Sequence, residues 1–190
     1  LRNNILPKDY HNIDFSKFNI ILLEGSPNVL NNMSEQSRIA SRKYLEELGV
    51  TVRTETILTS FDGSVATLSN GDKIPTKNVI WAAGVTGNII EGVPSTDIVR
   101  NRYKVDRFNR LLNFENIYAL GDIAYMETPK YPNGHPQVAN VAINQAKNLG
   151  NNIHKMLKGK KSDLIEYEYN DLGMMATIGK HKAVVELPFI

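Results

Sequence analysis

Cysteine is absent from the 190 residues, which excludes a disulfide framework, a thiolate metal site and a cysteine nucleophile within them. Charge of one sign is scarce too. The 22 Lys and Arg against 20 Asp and Glu leave a formal charge of +2, and the scattered lysines form no basic stripe, so nucleic acid is not an expected partner. His11, His135, His154 and His181 lack the paired spacing of metal ligands, and no metal is expected. No apolar run approaches the roughly 18 residues that a membrane helix needs, and the start has no signal-peptide pattern. Internal repeats, low-complexity tracts and the glycine-rich G-x-G-x-x-G fingerprint are all missing. The sequence opens on Leu1-Arg2-Asn3-Asn4 without an initiator methionine and stops in the apolar Pro188-Phe189-Ile190. It therefore reads as an excised piece of a longer protein, long enough to bury a core in one large domain or two small ones.

What is present is organised around Asn116-Ile117-Tyr118-Ala119-Leu120-Gly121-Asp122. The apolar run over residues 117–120 predicts a short buried strand that stops at a glycine and an acid. In open parallel sheets, ligands sit beyond the carboxyl ends of strands, where glycine admits a close backbone approach and a carboxylate accepts hydroxyl hydrogen bonds. Gly121 and Asp122 are thus the first site candidates, although Gly-Asp is also ordinary turn chemistry and both readings stay open. An earlier apolar run, residues 19–23, ends the same way at Glu24-Gly25-Ser26-Pro27. In a dinucleotide-binding unit such an acid takes the adenosine ribose hydroxyls; a solvated turn acid is the other reading of Glu24.

The intervening pattern is that of a strand, helix, strand crossover. Ser34 is apt as an N-cap, Ile39, Ala40, Tyr44, Leu45 and Leu48 recur at helical spacing, and Gly49 is apt as a stop before Val50-Thr51-Val52. Tight turns at Asp62-Gly63 and Asn70-Gly71-Asp72 predict hairpins. An apolar strand over residues 78–81 is then expected to end in the small residues Ala82-Ala83-Gly84, which would let a cofactor or another backbone come close. Arg100, Arg102, Lys104, Arg107 and Arg110 read as solvated surface around a short hairpin at Tyr103-Lys104-Val105. From Gln137 a helix is expected with Val138, Val141, Ala142, Ala146, Leu149 and Ile153 on its apolar face. Its first amides can hold a partly negative oxygen, and Gln137, Asn140, Asn144 and Gln145 add side-chain amides, unless these are only helix surface. Residues 167–169, 171–180 and 183–187 read as strands around glycine turns, with Met174 and Met175 as core fillers.

Taken in order, Leu22-Leu23-Glu24-Gly25, Trp81-Ala82-Ala83-Gly84-Val85, Ile117-Tyr118-Ala119-Leu120-Gly121-Asp122, Ala139-Asn140-Val141-Ala142-Ile143-Asn144-Gln145 and Met175-Ala176-Thr177-Ile178-Gly179 resemble the motifs of type II NADH dehydrogenases. These are single-chain flavoprotein NADH:quinone oxidoreductases. The resemblance implies an α/β fold with two dinucleotide-binding, Rossmann-like domains, here incomplete. Residues 1–85 would be a partial NAD-binding domain without its glycine-rich first unit, and residues 86–190 the C-terminal part of the FAD-binding domain. It implies FAD held by Gly121 and Asp122, with Asn140 and Val141 at the flavin edge. NADH would be held by Glu24, with Ala83 and Gly84 beside the nicotinamide path, and the quinone would meet Asn140, Ile143 and Asn144. Asn140 and Asn144 stand where the family usually has glutamines, and Leu172 where a lysine is usual.

The implied activity is transfer of electrons from NADH through FAD to a quinone, with no side chain acting as acid or base. Membrane contact would come from amphipathic helices beyond this piece, placing the parent protein at the cytoplasmic face as a respiratory-chain component and leaving the piece soluble. The alternatives are another flavoprotein reductase of the same superfamily, and a non-catalytic fragment that associates with a second copy of itself into a homodimer.

Overall fold

The structure, a computed structural model, describes residues 5–188; residues 1–4 and 189–190, on which the reading of an excised piece partly drew, lie outside the described residues. The chain forms two compact units, one running up to Trp81 and joined by the segment from Asp171 onward, the other Ala82–Asn170.

In the first unit a short helix, α1 (Leu6–Asp9), precedes β1 (Ile20–Leu23), α2 (Glu35–Glu47) and β2 (Val50–Arg53). β1 and β2 pair in parallel, Ile20 opposite Val50 and Leu23 opposite Arg53, the crossover that the sequence predicts. Ser34 caps α2 by accepting from the Ser37 N–H at 3.3 Å, and Gly49 takes φ 80° just past its end, as a helix stop requires. β3 (Leu58–Phe61), β4 (Val65–Leu68) and β5 (Lys73–Pro75) form an antiparallel meander. Its first turn is locked by the Asp62 carboxylate, which accepts from the N–H groups of Ser64 at 2.8 Å and Val65 at 2.7 Å.

The unit is completed by the last two described strands, β9 (Met174–Ile178) and β10 (Lys182–Glu186), which form an antiparallel hairpin. Met33, Ile178 and Val184 form its core with Ala40, Tyr44 and Leu45 of α2 packed on them. Around that contact, Glu186 Oε1 accepts from the Ser34 N–H at 2.7 Å, Lys182 pairs with Glu47, and the Lys182 ammonium sits 4.4 Å from the Tyr44 ring centre. This packing draws the segment from Asp171 onward into the first unit, whereas the sequence reading put residues 86–190 together.

Several expectations fail here for one reason, the lack of a covering surface. Residues 78–81 form no strand; Ile80 is 89% and Trp81 69% exposed, because no strand among the described residues pairs with them. Ile39 on α2 is exposed, and so are Met174 and Met175, which are not core fillers.

In the second unit β6 (Ile98–Val99) pairs antiparallel with β7 (Arg102–Val105), and β8 (Ala124–Met126) lies parallel to β7 with Tyr103 opposite Ala124. The β6–β7 turn uses Arg100 at φ 52° and Asn101 at φ 57°, positive values at two central residues without a glycine. α3 (Ala139–Leu157) closes the unit. The core joins Tyr103, Val105, Leu111, Ala119, Ala124, Met126, Val141, Tyr167 and Tyr169.

Three sequence readings are corrected in this unit. Residues 117–120 are not a strand but an extended segment with one antiparallel bridge, Arg110 to Tyr118. Residues 167–169 likewise form no strand; Tyr167 and Tyr169 are buried as single anchors in the core. Arg102 is not solvated surface: it is 8% exposed, and its guanidinium donates to the carbonyls of Ala124 and His135. On α3 the buried face is Val141, Gln145, Leu149 and Asn152, while Val138 and Ile153 are exposed. Among the described residues no helix is long and apolar enough to cross a membrane.

His135 is 1% exposed inside a ring cage, edge-on to Tyr131 at 5.0 Å and to Tyr167 at 5.4 Å. Its Nδ1 has no hydrogen-bond partner among the described residues. Burial lowers the His135 pKa from 6.5, outweighing the nearby Glu168 that favours the charged form; Arg102 and Arg107 add to the lowering. The unfolded chain therefore takes up this proton before the folded one, so stability falls as pH drops through 6.5. The carboxylates of Glu47, Asp62 and Glu186 are held low by their hydrogen bonds and act only at more acid pH. We expect the thermal midpoint to fall between pH 7 and about 5.5, above the carboxylate range, and to fall less in His135→Phe, which fills the same cage. An equal fall in that variant, by circular dichroism melts, would assign the loss to other groups.

Candidate functional site

The site is built at the turn that follows residues 117–120. Leu120 is extended, with φ −145° and ψ 162°, and leads into a single 3-10 turn over Gly121–Ile123 before β8. Gly121 is buried at φ 69°, a left-handed conformation that costs other residues about 1–2 kcal/mol. A Cβ there would also stand 3.0 Å from the Ala142 Cβ. A glycine is thus required twice over, by conformation and by the approach of α3.

Two glutamines hold the turn. Gln145 is 1% exposed, so its amide needs an internal partner; its Oε1 accepts from the Gly121 N–H at 2.7 Å. Gln137, just before α3, donates from Nε2 to the Asp122 carbonyl at 2.9 Å. Asp122 itself is exposed. The N-cap of α3 is Val138, whose side chain cannot cap. The amides of the first turn are therefore not taken up by a capping side chain. Asn140 is exposed on that turn, Val141 is buried below it, and Ile143 and Asn144 lie one position and two positions beyond Ala142, Ile143 exposed and Asn144 half-buried. The structure brings Gly121, Asp122, Asn140 and Val141 into one region of the second unit.

Glu24 belongs to the first unit, directly after β1. Its Oε1 accepts from the Ser26 N–H at 2.7 Å, and its backbone continues the β1–β2 ladder by donating to Arg53 O at 2.9 Å. Half-buried at a strand's carboxyl end, it sits where a parallel crossover presents ligands. Ala83 and Gly84 are exposed coil at the start of the second unit, Gly84 at φ 94° with open space where a Cβ would be.

The sequence reading grouped Gln145 with surface amides and missed its buried role. The signal was available: four positions after Val141, it lies on the face that turns inward. Ala142, which shapes the space at Gly121, was counted as core only. Asn109, with φ 64° and both side-chain polar atoms buried without a partner among the described residues, was not singled out. A cavity of about 500 Å³ in this unit is lined by Lys104, Arg107, Phe108, Tyr125 and Glu127 among others and includes none of the expected site residues. Its cations are already engaged, Lys104 with Thr96 O and Arg107 with Glu166 and Glu168.

A parallel crossover ending in an acid is the arrangement of dinucleotide-binding α/β folds. Within that class the chain belongs to the pyridine nucleotide-disulphide oxidoreductase family, whose pattern residues 12–146 match. Among curated proteins it is 25% identical over 183 residues to the type II NADH:quinone oxidoreductase of Staphylococcus aureus strain NCTC 8325, covering 92% of this chain and 44% of that protein. The enzyme of the same name from strain MRSA252 matches equally. The chain thus spans less than half the length of these relatives. Among solved structures, NDH2 from Plasmodium falciparum in complex with NADH superposes with a TM-score of 0.86 at 18% identity, covering 100% of this chain and 54% of that one. A ferredoxin reductase for the CYP199A2 system from Rhodopseudomonas palustris reaches 0.63 at 19% identity, over 78% of this chain and 36% of that one. At these identities the structural likeness establishes the fold.

The geometry at Gly121 carries its own test. Gly121→Ala combines a left-handed alanine with a methyl pressed on Ala142, and we expect it to lower stability by about 1–3 kcal/mol. Chemical denaturation showing no loss would mean that the turn is not held as described.

Proposed function

We propose that the whole protein represented by this chain is an NADH:quinone oxidoreductase that passes electrons from NADH through FAD to a quinone. The observation that carries the reading is the Gly121–Asp122 turn pinned against α3, with Asp122 exposed and the start of the helix without a side-chain cap. The naming of the curated relatives supports the choice of electron donor and acceptor. The residues suit a flavin: a glycine admits close approach, a carboxylate accepts from the hydroxyls of a ribityl chain, and helix amides suit a partly negative oxygen.

A flavin held there would supply the redox chemistry between NADH and the quinone. The chain's own residues bind and orient. Asp122 accepts ribityl hydroxyls, with Gly121 giving room. Asn140 and Val141 face the flavin edge, and Asn140, Ile143 and Asn144 contact the quinone. Glu24 accepts the adenosine ribose hydroxyls with the carboxylate oxygen not engaged by Ser26, and its charge disfavours a 2′-phosphate. Ala83 and Gly84 leave the nicotinamide path open. No side chain is assigned a proton transfer. In this reading residues 1–85 are the NAD-binding part and the FAD-binding part runs from residue 86, with its last segment, from Asp171 onward, packed in the first unit. The membrane is met at its cytoplasmic face by helices outside this chain.

The experiment is an absorbance spectrum of the 190-residue chain between about 300 and 550 nm, with and without FAD, followed by anaerobic NADH. A flavin spectrum that bleaches with NADH supports the reading. A colourless protein running as a dimer supports the self-associating module instead. Asp122→Ala removes a charged hydrogen-bond acceptor, and we expect FAD to bind roughly tenfold to a hundredfold more weakly. Glu24→Ala is expected to weaken NADH and narrow its margin over NADPH. Unchanged flavin content and unchanged nucleotide affinity would sink both assignments.

A further inference from the structure

The turn that carries Asp122 is pinned at each successive peptide group. The plane between Leu120 and Gly121 is fixed by the Gly121 N–H donating to Gln145 Oε1. The next plane is fixed by Gly121 O, which accepts from the Ala124 N–H. The plane after Asp122 is fixed by its carbonyl, which accepts from Gln137 Nε2. With the planes on both sides of Asp122 held, the direction of its Cα–Cβ bond is held as well.

Of these contacts the one to Gln145 is decisive. The opening N–H of a helical turn has no partner inside the turn, and at Gly121 it is buried, so it needs an acceptor from elsewhere. Among the described residues no backbone carbonyl supplies one; the acceptor is a side chain on α3 that is itself buried. Three residues before it on the same helix, Ala142 fills the space in front of Gly121. Hydrogen bond and close contact together fix the register of α3 against the turn.

We propose that Gln145, with Gln137 as its outer partner, is the positioning residue that aims the Asp122 carboxylate, acting through the Gly121 amide without touching a cofactor. The target of that aim, the ribityl hydroxyls of FAD, rests on the reading of the preceding subsection.

The test has two arms. In the absence of flavin, amide exchange and backbone couplings of isotope-labelled protein report the turn. Gln145→Leu should unprotect the Gly121 amide and release Asp122 from a single orientation, with the amides of β7 and β8 unchanged. Gln145→Glu, which keeps an acceptor, should retain protection, and Gln137→Ala, at the surface, should loosen Asp122 while leaving Gly121 protected. Full protection and an unchanged Asp122 in Gln145→Leu would overturn the proposal.

The second arm is an FAD titration in a double-mutant cycle. Gln145→Leu should weaken binding by roughly tenfold or more in the wild-type background, and by less than about twofold once Asp122→Ala is present, since the two act as one unit. Independent, multiplying losses would show a merely structural role and overturn it. Absence of FAD binding by this chain would confine the flavin reading to the whole protein, where Asp122→Ala and the same cycle test it, while the first arm still decides the role of Gln145.

Discussion

A buried guanidinium sets the distances on which the second unit depends. Arg102 leaves β7 and reaches two backbone carbonyls, Ala124 and His135, that bracket the candidate site. Ala124 follows the Gly121–Ile123 turn directly, and His135 lies a few residues before α3 begins. One rigid, permanently charged fork thus spaces the turn from the helix start. A lysine would not reproduce it, because its one nitrogen cannot place two donor atoms on Ala124 O, as Nε and Nη2 do, while also reaching His135 O. The Tyr125 ring, 5.3 Å from the guanidinium carbon, covers the charge on another side. The buried cation is tolerated because hydrogen bonds and an aromatic face replace its water.

Local chemistry was legible wherever the interaction partners are near in sequence. The capped helix at Ser34, the parallel crossover it belongs to, the Asp62-Gly63 and Asn70-Gly71 turns and the long helix after Gln137 all follow from short-range rules. Where burial depends on distant segments, residue type misleads. Ile80 and Trp81 have the composition of a core strand, but no strand among the described residues pairs with them. Residues 117–120 look like a strand for the same reason and are held by one bridge. Arg102 and Gln145 err in the opposite direction: polar residues that composition puts in water are inside, each because backbone groups need exactly the donors or acceptor it offers.

The candidate site shows the same division. Gly121 and Asp122 could be picked out as a pair, since the glycine has a conformational reason and the acid a chemical one. The supporting contacts from Gln145, Gln137 and Ala142 depend on how α3 docks, which no local pattern states. Glu24 was legible from its place after β1, and the structure adds that Ser26 takes one of its oxygens.

The cap of α2 joins residues far apart. Ser34 supplies the side-chain acceptor within the first turn, but its own N–H is satisfied by Glu186, 152 positions later in the chain. During synthesis the helix can form with half of its cap and gains the other half only after Glu186 has emerged from the ribosome. Closing so long a loop is slow compared with forming the helix. The β9–β10 hairpin therefore closes α2 from a distance, and a nascent chain arrested before it carries an α2 whose entry is still open.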